Sequence, residues 1–143
     1  MKTSADGIDL IKHFEGCKLK AYKCPAGITS IGYGHTGDDV HDGLVWTQQQ
    51  ADDALQSDLD RFEKGVESLV TVPLKQCQFD ALVSFAYNLG LGRLKGSTLL
   101  KMLNDGRYEG AADQLLLWVS RGTAYEKGLT LRRKAERSLF LSE

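Results

Sequence analysis

The chain predicts an α+β fold, mostly helical, with one small β region near the N-terminus. Three observations carry this. Leu55, Leu59, Phe62, Val66 and Leu69 recur at alternating four- and three-residue steps, the spacing of one face of a long helix. Four more runs of helical period follow it in the second half of the chain. Residues 18–34 are instead punctuated by Pro25-Ala26-Gly27, Gly32 and Gly34, which marks short strands and turns. A length of 143 residues and a hydrophobic content of 42% suit one domain with a real core.

Taken in order, Ser4 to about Glu15 reads as a helix. Ile8, Ile11 and Phe14 lie at helical spacing, and Ser4 or Asp6 can cap the start. Glu15 follows Ile11 by four residues, so it continues the apolar side. Residues 18–34 form the expected hairpin. Thr47 reads as an N-cap with Gln50 completing a capping box, and the helix it opens stops before Pro73. Later helices are expected around Phe79, Leu82, Val83 and Ala86, and from Thr98 to Leu103, ending at Asn104-Asp105-Gly106. Two more are expected around Ala112, Leu115, Leu116 and Val119, and around Leu131, Ala135 and Leu139.

A net charge of −1 gives no reason to expect nucleic-acid binding. From Arg121 onward there are six Lys or Arg against three Glu. Arg121, Arg132, Arg133 and Arg137 read equally as surface charge or as contacts to an acidic polymer. Three cysteines cannot all pair internally, which suits a reducing compartment. No apolar stretch is long enough to span a bilayer, and Met1 to Gly7 carries no export signal, so synthesis in the cytoplasm is expected. His13, His35 and His41 lack His-Glu-x-x-His or paired-Cys spacing, so no metal site is expected.

One run concentrates chemistry: Phe14-Glu15-Gly16-Cys17-Lys18-Leu19-Lys20-Ala21-Tyr22-Lys23-Cys24-Pro25-Ala26-Gly27-Ile28-Thr29-Ser30-Ile31-Gly32-Tyr33-Gly34-His35-Thr36. An acid closes a helix, and a thiol and a hydroxyl follow on a hairpin. The run resembles the catalytic segment of the phage-type lysozymes, glycoside hydrolase family 24. Members carry Glu, eight residues, Asp or in some Cys, five residues, then Thr. Here eight residues separate Glu15 from Cys24 and five separate Cys24 from Ser30. Cys24 stands where most members have Asp, and Ser30 where they have Thr. Further likeness lies in Phe79 to Phe85, Asn88-Leu89-Gly90, Ser97 to Leu100, and Gly128-Leu129 with Arg132-Arg133 and Glu136.

The resemblance implies a single lysozyme-like domain over 1–143, two-lobed and joined by the long helix. The β-containing lobe spans about 16–60. The helical lobe spans about 70–143, with helix 4–14 packed on it. The sugar cleft is expected between the lobes. The implied activity is that of an endolysin muramidase, cutting the β-1,4 bond between N-acetylmuramic acid and N-acetylglucosamine with inversion and without a cofactor. Glu15 is then the general acid, on the principle that a protonated carboxyl beside the bond protonates the leaving oxygen. Cys24 takes the position that aids the attacking water or steadies positive charge on the sugar. It can serve as thiolate, as neutral water-positioner, or be masked by a disulfide to Cys17. Ser30 keeps the family's oxygen but lacks the methyl that fixes a Thr rotamer. A hairpin slipped by one residue would put Thr29 there instead. Tyr33 and His35 are expected substrate contacts, with a structural, carboxylate-bound role the other reading of His35. Asp38, Asp39 and Asp42 are alternative second carboxylates, and a solvated role suits their loop better.

The expected partner is peptidoglycan, met by a monomer that needs a holin to leave the host cytoplasm. The lack of a wall-binding module suits a thin Gram-negative wall. Two rivals stay open: a lytic transglycosylase, which uses one acid and no water, and a catalytically silent peptidoglycan-binding protein.

Overall fold

α1 (Ala5–Glu15) starts after Ser4, whose carbonyl accepts the first helical bond from Ile8 N at 3.0 Å. The computed structural model describes residues 1–142 and shows a mostly helical chain with one small antiparallel sheet. Two buried carboxylates serve the start of α1. Glu63 accepts from Thr3 N and Oγ1, both at 2.7 Å. Asp80 accepts from Ser4 N at 3.0 Å, from the Ser4 hydroxyl, and from Gln76 Nε2 at 2.8 Å. The first amides of a helix lack internal partners, and a carboxylate there also meets the positive end of the helix dipole. Gly7 is required by this packing, because a Cβ would lie 2.8 Å from Asp80 Cβ.

β1 (Lys18–Lys23) and β2 (Thr29–Gly32) form the expected hairpin. Tyr22 pairs with Ser30 and Lys23 with Thr29, and an irregularity between Lys18 and Tyr22 bends β1. A segment the sequence reading missed adds to the other edge of β1. Ala21 N donates to Leu44 O at 2.9 Å and Trp46 N to Leu19 O at 2.7 Å.

α2 (Gln48–Leu69) is the long amphipathic helix. Its capping box forms as read: Gln50 N donates to Thr47 Oγ1 at 3.2 Å, and Thr47 N to Gln50 Oε1 at 2.8 Å. Leu55, Leu59, Phe62 and Val66 are buried. Among the described residues no helix is long and apolar enough to cross a membrane.

α3 (Gln76–Leu89) buries every residue from Phe79 to Ala86, the mark of a central helix. α7 (Glu126–Phe140) packs on it. α4 (Leu91–Lys95), which the sequence reading did not anticipate, follows Gly90, whose φ of 97° suits glycine. α5 (Thr98–Asn104) is capped by Ser97, whose Oγ accepts from Leu100 N at 3.1 Å, and it packs on α6 (Tyr108–Leu115).

Two helix expectations need correction. α6 ends at Leu115, so Val119 lies beyond it in a turn-rich stretch. In α7 the apolar series Leu131, Ala135, Leu139 does not define the inner face. Leu131 is 55% exposed, while Arg132, Arg133, Glu136 and Phe140 are buried. The charges go inside because each lies beside its counter-charge. Arg133 Nε lies 2.7 Å from Glu136 Oε1, Ser84 Oγ donates to Glu136 Oε2 at 2.6 Å, and Arg133 Nη2 donates to Asn88 Oδ1 at 2.7 Å. Arg132 and Arg133 are therefore closed to an external acidic polymer. Arg137 lies 2.8 Å from Asp113, and Arg121 is exposed.

The backbone divides into two compact units. One comprises Met1–Leu10 with Phe62 onward, and the other Ile11–Arg61. The divisions fall inside α1 and α2. Glu15, Cys24, Ser30, Tyr33 and His35 all belong to the second.

Candidate active site

Glu15 is the last residue of α1, and Gly16 follows with φ 68°. A positive φ ends the helix and turns the chain into β1. The side chain is half-buried, as its place on the apolar side of α1 suggests. Its Oε1 lies 3.4 Å from where a Cβ on Gly34 would stand. Gly34 has φ 85°, so both conformation and proximity to the carboxyl favour glycine there. The approach is made by a tight return: Ile31 and His35 exchange amide bonds at 3.0 and 2.8 Å around Gly32-Tyr33-Gly34.

Cys24 follows β1 and begins the turn. Its amide donates to Ile28 O at 2.9 Å, and its carbonyl accepts from Gly27 N at 2.8 Å. The thiol is half-buried. Ser30 lies in β2, 3% exposed, with its hydroxyl donating to Ile28 O across 3.3 Å. Paired residues of an antiparallel ladder point to the same face, and alternate residues share it. Tyr22, Cys24 and Ser30 therefore share one face of the hairpin, and Lys23 and Thr29 take the other.

Tyr22 lies on the same face as Cys24 and Ser30. Burial holds its phenol above the ordinary tyrosine pKa, and the negative charges of Glu15 and ionised Cys24 push the same way. The polar Ser30 side chain on the paired strand opposes the rise. The Lys18 ammonium lies 5.5 Å from the centre of the Tyr22 ring. Tyr22, which sequence reasoning passed over, is the cross-strand partner of Ser30. The turn at 24–28 sets the register that puts position 22 opposite 30, and that was its one signal in the sequence.

A Cys17–Cys24 disulfide does not fit this hairpin. The two cysteines flank β1, a six-residue strand. At about 3.3 Å per residue they stand on the order of 20 Å apart. A disulfide needs Cα atoms within about 7 Å. Cys17 Sγ lies instead 3.9 Å from Gln48 Oε1.

Tyr33 and His35 are both engaged within the protein. The Tyr33 hydroxyl accepts from Gln48 Nε2 at 3.0 Å, and Lys12 Nζ lies 5.4 Å from its ring centre. Lys12 also pairs with Asp52 at 3.2 Å. His35 has a carboxylate on each ring nitrogen: Asp58 Oδ2 at 2.7 Å from Nδ1 and Asp39 Oδ2 at 3.0 Å from Nε2. Burial alone disfavours the imidazolium, but Asp58 and Asp39 outweigh it and raise the His35 pKa. In return the bond from His35 holds the Asp39 carboxyl below its ordinary range. Asp58, on α2, was not singled out in the sequence.

This architecture has known counterparts. The muramidase domain of SpmX from Asticaccaulis excentricus is 40% identical, with TM-score 0.93 over 99% of both chains. The endolysin of Salmonella phage P22 is 43% identical over 99% of both chains. The endolysin of Bacillus phage B103 is 49% identical over 99% of this chain. The chain spans about half the length of that Bacillus phage relative, 55%. The profile of the phage lysozyme family matches residues 12–136, and the chain belongs to that family.

Proposed function

We propose that the chain is an endolysin muramidase, hydrolysing the β-1,4 bond between N-acetylmuramic acid and N-acetylglucosamine in peptidoglycan. The observation that carries this is the acid Glu15 closing α1, with Cys24 and Ser30 on one face of the hairpin that follows, in a member of this family. The relatives' names, endolysin and muramidase domain, support the same activity.

In this reading Glu15, protonated, gives its proton to the glycosidic oxygen as the bond breaks. The sugar passes through an oxocarbenium-like state. Water enters from the opposite face, held by the Cys24 sulfur and the Ser30 hydroxyl, and the product is inverted. No cofactor takes part. Tyr33 and His35 are given supporting work rather than direct sugar contact: Tyr33 ties the turn to Gln48, and His35 ties it to Asp58. The protein acts as a monomer on the cell wall and reaches it from the host cytoplasm through a holin.

Mass spectrometry of digested peptidoglycan tests the reaction. Reducing muramic acid ends are expected. Anhydro ends would identify a transglycosylase, and intact glycan a silent binding protein. Water labelled with ¹⁸O, followed by NMR of the fresh anomeric centre, tests inversion.

A further inference from the structure

We infer that Lys18 selects substrates by charge: its ammonium binds a carboxylate on the peptide substituent that peptidoglycan carries beside the bond to be cut. The inference rests on the proposed muramidase reading and names the substrates that this site prefers.

The first observation is where the ammonium stands. Lys18 opens β1, and its Nζ lies 5.5 Å from the centre of the Tyr22 ring. Tyr22 is directly across from Ser30, and such partners have Cβ atoms about 5 Å apart on one face. Cys24 continues that face, its amide donating to Ile28 O at 2.9 Å in the same ladder. A cation therefore stands on the face that carries the thiol and the hydroxyl. Lys23 pairs with Thr29 and takes the other face.

The second observation is that this cation is held but not neutralised. Lys18 is exposed. The aromatic face attracts the ammonium and narrows its positions. It does not supply the oxygen acceptors that three N–H donors seek. Among the described residues no carboxylate lies within ion-pair distance of Lys18. Lys12 makes the contrast: it lies 5.4 Å from the Tyr33 ring centre, yet Asp52 is 3.2 Å away. Arg132, Arg133 and Arg137 have carboxylates of their own.

The chemistry of the substrate supplies the counter-charge. The N-acetylated sugars are neutral, and the lactyl carboxyl of muramic acid is consumed in the amide bond to the peptide. The negative charge of the polymer then lies in the free carboxylates of that peptide. A lysine is a compact charge on a flexible stem, which suits a carboxylate on a flexible chain. The peptide is not a reacting group, so it is bound alike in the ground and transition states. Its recognition therefore acts on KM rather than on kcat.

The test uses soluble glycan fragments with peptide substituents in two forms, one with free carboxylates and one with the same groups converted to carboxamides. kcat and KM are measured for the parent, Lys18→Gln and Lys18→Arg, and circular dichroism checks the fold. The parent should show a KM about two- to fivefold lower on the acidic fragment, the range of an exposed ion pair. In Lys18→Gln that preference should vanish, through a higher KM on the acidic fragment alone with kcat nearly unchanged. Lys18→Arg should keep it, and about 1 M salt should erase it in the parent. A parent with equal KM on both fragments overturns the inference. So does an equal change on both in Lys18→Gln, the result of a merely structural role. Calorimetric titration of both fragments into Glu15→Gln, with and without Lys18→Gln, separates this inference from the reading beneath it. Intact glycan with a Lys18-dependent preference in binding sinks the muramidase reading and keeps the inference. Hydrolysis of both fragments at equal KM does the reverse. Should Lys18→Gln fail to fold, the parent's preference and its loss in salt decide.

Discussion

His35 Nδ1 lies 2.7 Å from Asp58 Oδ2, joining the loop after β2 to the middle of α2. Asp39 takes the other ring nitrogen, so both nitrogens must carry protons to be satisfied. The folded pKa of His35 is raised by these partners against the opposing effect of burial. The folded state therefore binds the proton more tightly than the unfolded chain does. This stabilisation is fully present below the unfolded value of about 6.5 and is lost as pH rises through the folded value. Melting temperature should fall across that window. Asp58→Asn should flatten the pH dependence and cost about 1–3 kcal/mol at low pH, as expected for a bond to a charged group. Asp39, mostly exposed, should matter less. An unaltered pH profile in Asp58→Asn would argue against the pair.

Glu15→Gln keeps the shape of the acid and removes its proton. General acid catalysis contributes about 10²–10⁴-fold, so turnover should fall at least a hundredfold. The melting temperature should stay near the parent's, because the side chain is half-buried at a helix end. Activity within about tenfold of the parent, in folded protein, would remove Glu15 from the role.

Cys24 offers a chemical test. Cys24→Asp should preserve lysis, since aspartate is the commoner residue at this position in the family, and Cys24→Ala should impair it. A thiol-blocking reagent should inhibit the parent and spare Cys24→Asp. Equal inhibition would implicate Cys17 or Cys77. Mild oxidation should produce no intramolecular Cys17–Cys24 bond, because β1 separates them.

Thr29→Ala should leave turnover nearly intact. Its side chain is on the Lys23 face of the hairpin, away from Tyr22 and Cys24. Ser30→Ala should lower kcat with little change in melting temperature. The opposite pattern would mean that the other face of the strand serves the reaction.

Glu136→Gln should destabilise the fold by about 3–5 kcal/mol, the effect of leaving buried charges uncompensated. Arg132 and Arg133 both lie against this carboxylate within the packed α3–α7 region. Burial pushes the Glu136 carboxyl up, and Arg133 and Arg132 oppose it. Urea unfolding measures the loss. A change below about 1 kcal/mol would mean that the arginines find other partners.

The sequence by itself determined the elements whose signal is local. The Thr47–Gln50 box and the apolar steps from Leu55 to Val66 specify α2, because capping and helical period involve residues within a few positions. The spacing of Glu15, Cys24 and Ser30 was likewise legible, through the family it resembles. Tertiary structure decided what depends on partners distant in the chain. Only the strand register puts Tyr22 opposite Ser30, and only the extension of β1 separates Cys17 from Cys24. The inner face of α7 shows the limit most clearly. By hydropathy Leu131 belongs inside and Arg133 outside, yet Leu131 is exposed and Arg133 is 0% exposed. A buried charge is tolerable only beside its counter-charge and hydrogen-bond partners, and Ser84 and Asn88 reach it from a helix some fifty residues earlier.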